Sequence, residues 1–238
     1  MSHSKIDLPI GNIRDAFQWA RQAHEKTPAA HKAAFGDNVK VIDPAIKGKG
    51  DICYIINNSR SSSSVIVVFP GSNDWIDWFL NFFRFNKPKN GIHPGFEKSM
   101  EMMQDQIAQE LKRLQPTAAL FTGISRGGAM ADYALEKFGP LINGNIDCIT
   151  FVQPKVFTKD WYNKNSNWPS VKDNTNVRYL RVFMANDPVS DMPPARAGYI
   201  FKGKDLQLGT RMSKWKRRLF GWREHKIAVI QSHLDRVQ

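Results

Sequence analysis

The stretch LFTGISRGGAM, Leu120 to Met130, limits what this chain can fold into more than any other. An apolar run enters it and a helix-like run leaves it. Between them lie Gly123, Ser125, Gly127 and Gly128. Serine is a poor interior helix residue because its hydroxyl competes for backbone hydrogen bonds. Each glycine costs conformational entropy on folding. Such a cluster makes physical sense where a strand must become a helix in a turn too tight for side chains. A strand feeding directly into a helix is the repeating unit of an α/β fold.

The rest of the chain agrees. Val65 to Phe69 is a continuous apolar, β-branched run, suited to a strand buried on both faces of a parallel sheet. "TAALFTGI", "IDCITFVQP" and "VRYLRVFMA" read as further strands. "GGAMADYALEKFG" reads as a helix that stops at Gly139 and Pro140. "HPGFEKSMEMMQDQIAQELKRLQ" is helix-like from about Glu97, with Met100, Met103, Ile107 and Leu111 at periods of three and four. The segment of about residues 1–40 is helical, with Ile13, Phe17 and Ala20 on one face, and "HKIAVIQSHLDRV" is a final helix. "SRSSSS" lies between two strand-like runs and reads as a polar hairpin loop. No repeat or long linker divides the 238 residues, so the expectation is one α/β domain with a mostly parallel sheet flanked by helices.

Hydrophobic content of 42% and charged content of 24% are those of an ordinary globular chain. No run approaches the ~18 apolar residues of a membrane span, and the first twenty residues lack a secretory pattern. A cytoplasmic-type protein is expected. Cys53 and Cys148 sit in apolar runs and read as small buried hydrophobes; no spacing suggests a zinc site. The net charge of +12 is concentrated in part in RMSKWKRRLFGWREHK, Arg211 to Lys226, with seven Lys/Arg, one Glu and interleaved aromatics. That run reads either as a solvated basic face or as an amphipathic element for anionic lipid. No DNA or RNA motif accompanies it, so nucleic acid is not expected as a partner.

In its strand–turn–helix setting, Gly-Ile-Ser-Arg-Gly is a G-x-S-x-G nucleophile elbow. Ser125 would stand exposed at a helix N-terminus, where N–H groups and the helix dipole favour developing negative charge. The Arg126 N–H would be one oxyanion donor. A serine also needs a base, and the base needs an orienting group. Downstream, Asp187 falls at the end of a strand, with Asp191 nearby, and His225 and His233 follow. The order Ser, Asp, His is that of an α/β-hydrolase.

Five blocks in this order resemble the class 3 lipases, the fungal-type triacylglycerol lipase family: VIVVFPGSNDWIDWFLNF, IHPGFEKSM, TGISRGGAMA, TFVQPKV and NDPVSDMPP. They run from about Val65 toward the C-terminus, and the resemblance implies an α/β-hydrolase fold. It also implies Ser125 as nucleophile, Asp187 as the acid, Ser72 as the second oxyanion residue and His93 as part of a structural block. His225, with Ile227 and Ile230 two and five places on, fits the family's base better than His233, which remains the alternative. His3, His24 and His31 lie upstream of the motifs and are read as exposed. Residues 73–91 carry Trp75, Trp78, Phe79, Phe82, Phe83 and Phe85 and read either as an apolar-faced lid or as core packing. Four positions depart from the family's usual residues: Pro70 for Arg, Ile124 for His, Arg126 for Leu and Val152 for Gly.

The expected activity is hydrolysis of lipid or other carboxylic esters with apolar acyl chains, with no metal or cofactor. The competing reading is a weak or inactive hydrolase-fold protein that binds anionic lipid or a protein partner through its basic C-terminal region.

Overall fold

The computed structural model describes residues 10–25, 27–44, 52–57, 64–72, 88, 90–166, 176–213, 215–216 and 220–236. Two helices, α1 (Ile10–Glu25) and α2 (Pro28–Phe35), precede β1 (Val39–Ile42), β2 (Cys53–Asn57) and β3 (Ser64–Phe69). The long α3 (Pro94–Leu114), β4 (Ala118–Ile124), α4 (Arg126–Phe138) and β5 (Asn145–Phe151) follow. Then come β6 (Phe157–Thr158), α5 (Lys159–Asn165), β7 (Val177–Met184), β8 (Tyr199–Ile200) and β9 (Lys204–Leu208). A 3₁₀ turn (Gly221–His225) leads into α6 (Ile227–Leu234).

Seven of the described strands form one sheet in the order β1-β2-β3-β4-β5-β7-β9. The β1–β2 and β2–β3 pairs are antiparallel; β3, β4, β5, β7 and β9 run parallel. The β-branched run at Val65–Phe69 is buried throughout, as a strand with both faces covered must be. One face packs on α3 and α4 through Met100, Met103, Ile107, Leu111, Met130 and Leu135. The other packs on α1 and α6 through Ile13, Phe17, Ala20, Ile230 and Leu234. Phe17 meets Phe151 edge to face at 5.0 Å. The parallel strands end together on one edge, and the loops that leave β3, β4 and β7 carry the residues of interest.

Several expectations need correction. Helix α3 starts at Pro94, not near Glu97. His93 caps it, its Nδ1 accepting the Gly95 N–H at 3.2 Å, and proline fits the first turn because it has no N–H to satisfy. The last helix starts only at Ile227, because a 3₁₀ turn occupies the residues before it. His31 is buried, its ring 4.1 Å from that of Tyr54 and its Nε2 3.0 Å from the Gln22 carbonyl. His24 is only partly exposed. Both cysteines are free and buried, as the apolar runs around them suggested, and burial pushes both thiols up. His3, the 59–63 part of the serine tract, and residues 73–87 and 89 of the aromatic segment lie outside the described residues.

Candidate active site

Strand β4 ends at Ile124 and helix α4 begins at Arg126, so Ser125 alone makes the turn. Its backbone sits at φ 56°, ψ −122°, a region that costs a non-glycine residue ~1–3 kcal/mol. The surroundings fix it there. The Ser125 N–H donates to the Phe151 carbonyl at 2.8 Å. A Cβ on Gly127 would lie 2.1 Å from the Phe69 carbonyl oxygen, and one on Gly123 would lie 2.4 Å from the Gly127 carbonyl. Two backbones pass where side chains would collide, which accounts for the glycines.

Asp187 lies just past β7, buried, with its carboxylate held from several sides. Oδ1 accepts the Val189 N–H at 2.9 Å, and Oδ2 accepts the Ser190 hydroxyl at 3.4 Å. The same Oδ2 lies 2.7 Å from His225 Nδ1. His225 Nε2 lies 2.8 Å from Ser125 Oγ. A carboxylate is an acceptor, so Nδ1 carries the imidazole proton and Nε2 is left to accept the serine proton. His233 points elsewhere: it lies inside α6 beside Gly209. Asp191 is exposed at the end of a 3₁₀ turn, its carbonyl accepting from Lys155 Nζ at 2.6 Å. Of the alternatives left open by the sequence, the geometry brings together Ser125, Asp187 and His225.

The residues expected at the oxyanion position come from two loops. Arg126 is the first residue of α4, so its N–H points out of the helix's first turn. Ser72 follows β3, whose Phe69 is the Cα partner of Gly123, and a Cβ on Gly71 would lie 3.1 Å from the Ile124 carbonyl. The Pro70–Ser72 turn therefore runs along the elbow. The Arg126 side chain turns toward α3, where Nη2 donates to Ser99 Oγ at 2.7 Å. Burial lowers this guanidinium to about 10. Ser99 in turn donates to the Gly95 carbonyl at 2.9 Å.

Three residues of this neighbourhood were not singled out from sequence. Asn186 is fully buried, and its N–H and Nδ2 donate to the two carboxylate oxygens of Glu224 at 2.9 and 2.7 Å. Asn186 also receives the Met212 N–H at Oδ1 and donates to the Thr210 carbonyl. It thus ties the strand end that bears Asp187 to the turn that bears His225. The one available signal was adjacency, since Asn186 precedes Asp187 and Glu224 precedes His225. His24, on α1, is the third. A Cβ on Gly71 would lie 3.0 Å from its Nδ1. Burial lowers the His24 imidazole, with the Gly71 backbone and Glu25 opposing and His225 adding to the shift. A cavity of about 680 Å³ near Thr158, Trp161 and Gly198 includes none of the triad residues.

The sequence matches the family model "Lipase (class 3)" over residues 66–197, more than half of the chain. Solved structures share the fold. The triacylglyceride lipase of Rhizomucor miehei is 18% identical with a TM-score of 0.64, covering 87% of this chain and 82% of its own. Lipase II of Rhizopus niveus is 19% identical with a TM-score of 0.63, covering 85% and 83%. The lipase of Rhizopus microsporus var. chinensis is 18% identical with a TM-score of 0.63, covering 83% and 74%. With a mostly parallel sheet, a serine at the strand–helix turn and a histidine between that serine and an aspartate, the chain belongs to the class 3 lipases, carboxylic ester hydrolases of the α/β-hydrolase fold.

Proposed function

We propose that this protein cleaves esters of apolar acyl chains through an acyl-enzyme on Ser125. The observation that carries the reading is the pair of His225 contacts, 2.7 Å to Asp187 and 2.8 Å to Ser125. Ser125 Oγ attacks the ester carbonyl while His225 Nε2 takes its proton. Asp187 holds the ring and stabilises the imidazolium that forms. The tetrahedral oxyanion is met by the N–H groups of Arg126 and Ser72, with the α4 N-terminus behind them. Collapse breaks the ester C–O bond, and the imidazolium returns the proton to the leaving alcohol. Water then repeats the sequence on the acyl-serine and releases the acid. A cytoplasmic location, expected from the sequence, is proposed alongside it.

The test is a fluorophosphonate label, followed by a p-nitrophenyl ester series from acetate to palmitate. The wild type should take the label on Ser125 and turn over the long esters. Ser125→Ala should take no label and lose at least ~10⁴-fold in turnover. A folded wild type that neither labels nor cleaves any member of the series would remove the hydrolase reading.

A further inference from the structure

Among the described residues, the exposed large apolar side chains are Met212, Trp215 and Phe220, 37%, 60% and 39% accessible. All three fall in the basic segment Arg211–Lys226, which carries His225 near its end. Exposed around them are Arg211, Lys216, Arg223 and Lys226. Lys216 lies over the Trp215 ring at 5.6 Å and Arg223 over the Phe220 ring at 5.1 Å, so cation and aromatic face outward together. Lys214 and residues 217–219 lie outside the described residues.

Both ends of this excursion are fastened. At its start, the Met212 N–H donates to Asn186 Oδ1 at 2.7 Å, and Asn186 Nδ2 donates to the Thr210 carbonyl at 3.0 Å. At its end, Glu224 accepts both Asn186 donors. That engagement takes up the one carboxylate of the Arg211–Lys226 stretch and leaves its outward face cationic. A bare apolar patch in water is a liability, and a purely basic face needs no tryptophan. The combination suits a boundary that is apolar inside and negative at its surface.

We propose that Arg211, Met212, Trp215, Lys216, Phe220 and Arg223 form a docking ridge for an anionic lipid surface, and that this ridge presents the mouth of the active site to it. The assignment of what is presented rests on the ester-hydrolase reading; the docking itself does not. Single-stranded nucleic acid also combines charge with flat rings. Met212 gives no stacking platform, however, and the fastening to Asn186 sets the ridge beside a triad whose family acts on esters.

The experiment is co-sedimentation of full-length Ser125→Ala protein with vesicles of phosphatidylcholine alone or with about a third phosphatidylglycerol, at low and high salt. Ser125→Ala keeps the lipid intact during the measurement. We expect partitioning onto the anionic vesicles at least ~10-fold stronger than onto the neutral ones, weakening as salt rises. Arg211→Glu/Lys216→Glu and Trp215→Ala/Phe220→Ala, each in the Ser125→Ala background, should lose roughly ten-fold or more of that partitioning. In the wild-type background the same pairs should keep p-nitrophenyl acetate hydrolysis, which needs no surface, within about two-fold, and a retained melting temperature would show that they fold. Equal partitioning of both double variants and the parent overturns the proposal. So does an absence of partitioning, or tighter retention of single-stranded RNA than of anionic vesicles. Anionic binding in a protein that hydrolyses no soluble ester would leave the ridge standing and remove the hydrolase reading instead.

Discussion

Asp187 accepts from a backbone N–H and a hydroxyl besides facing His225, so its position does not depend on the histidine. This separates charge from geometry in a substitution. Asp187→Asn keeps the size but offers an amide that can donate to Nδ1, which favours the tautomer with its proton on Nε2, facing Ser125 and unable to accept. Turnover of a p-nitrophenyl ester should fall by ~10⁴-fold with little change in melting temperature. A drop of only a few-fold would show that Asp187 does not orient the base. Ser125 and Asp187 were legible in the sequence because their motifs are local: a turn without room for side chains, and an acid at the end of a strand. The preference for His225 over His233 rested on resemblance, since nothing in "EHKIAVIQSH" alone says which imidazole reaches back a hundred positions. Asn186 and Glu224 were invisible for a related reason. Each is an ordinary polar residue until folding brings them within 2.7 Å.

At the scale of elements, the Asn186–Glu224 tie joins the end of β7 to the 3₁₀ turn ahead of α6. Asn186→Ala would leave the Glu224 Oε1, the Thr210 carbonyl and the Met212 N–H without their side-chain partner, while the backbone N–H still meets Glu224 Oε2. Each such loss costs about 1–3 kcal/mol where the group stays buried. We expect a fall in melting temperature of several degrees and a drop in kcat with KM nearly unchanged, because the tie sets the aim of His225 rather than the substrate contact. An unchanged kcat, measured below the lowered melting temperature, would show that the turn is held by other means. Element boundaries were less legible than elements. The parallel strands and the elbow helix stood out by their apolar runs. The edge strand Lys204–Leu208 did not, since its exposed positions carry polar residues and its short length gives little period to read.

Across the whole molecule, α4 carries a buried acid the mechanism does not use. Asp132 accepts from Gln153 Nε2 at 3.1 Å and lies 3.5 Å from the Tyr162 hydroxyl. Tyr179, Glu136 and Arg181 also bear on it, and burial pushes its carboxyl up to about 7. An acid whose folded value is raised is held protonated by folding. The contribution is therefore intact below the unfolded value and is lost as pH rises through about 7. Asp132→Asn removes this titration while keeping an oxygen for Gln153. The gap in melting temperature, variant minus wild type, should widen from about pH 4 to pH 7 and then level off. A gap that stays constant with pH would mean that Asp132 titrates as an exposed carboxyl does.

The helix that opens the described chain lies outside the family match yet touches its far end. Arg14 donates to the Leu234 carbonyl at 3.3 Å, Gln18 to Gln231 at 2.9 Å, and α1 covers the same sheet face as α6. Viewed as information rather than energy, the matched span holds Ser125 and Asp187, while His225 arrives from beyond it on a turn leading into a helix that is braced by residues preceding the span. Drift within Ile10–Glu25 is thus answerable to the chemistry, and a comparison confined to the recognisable middle would score such changes as silent.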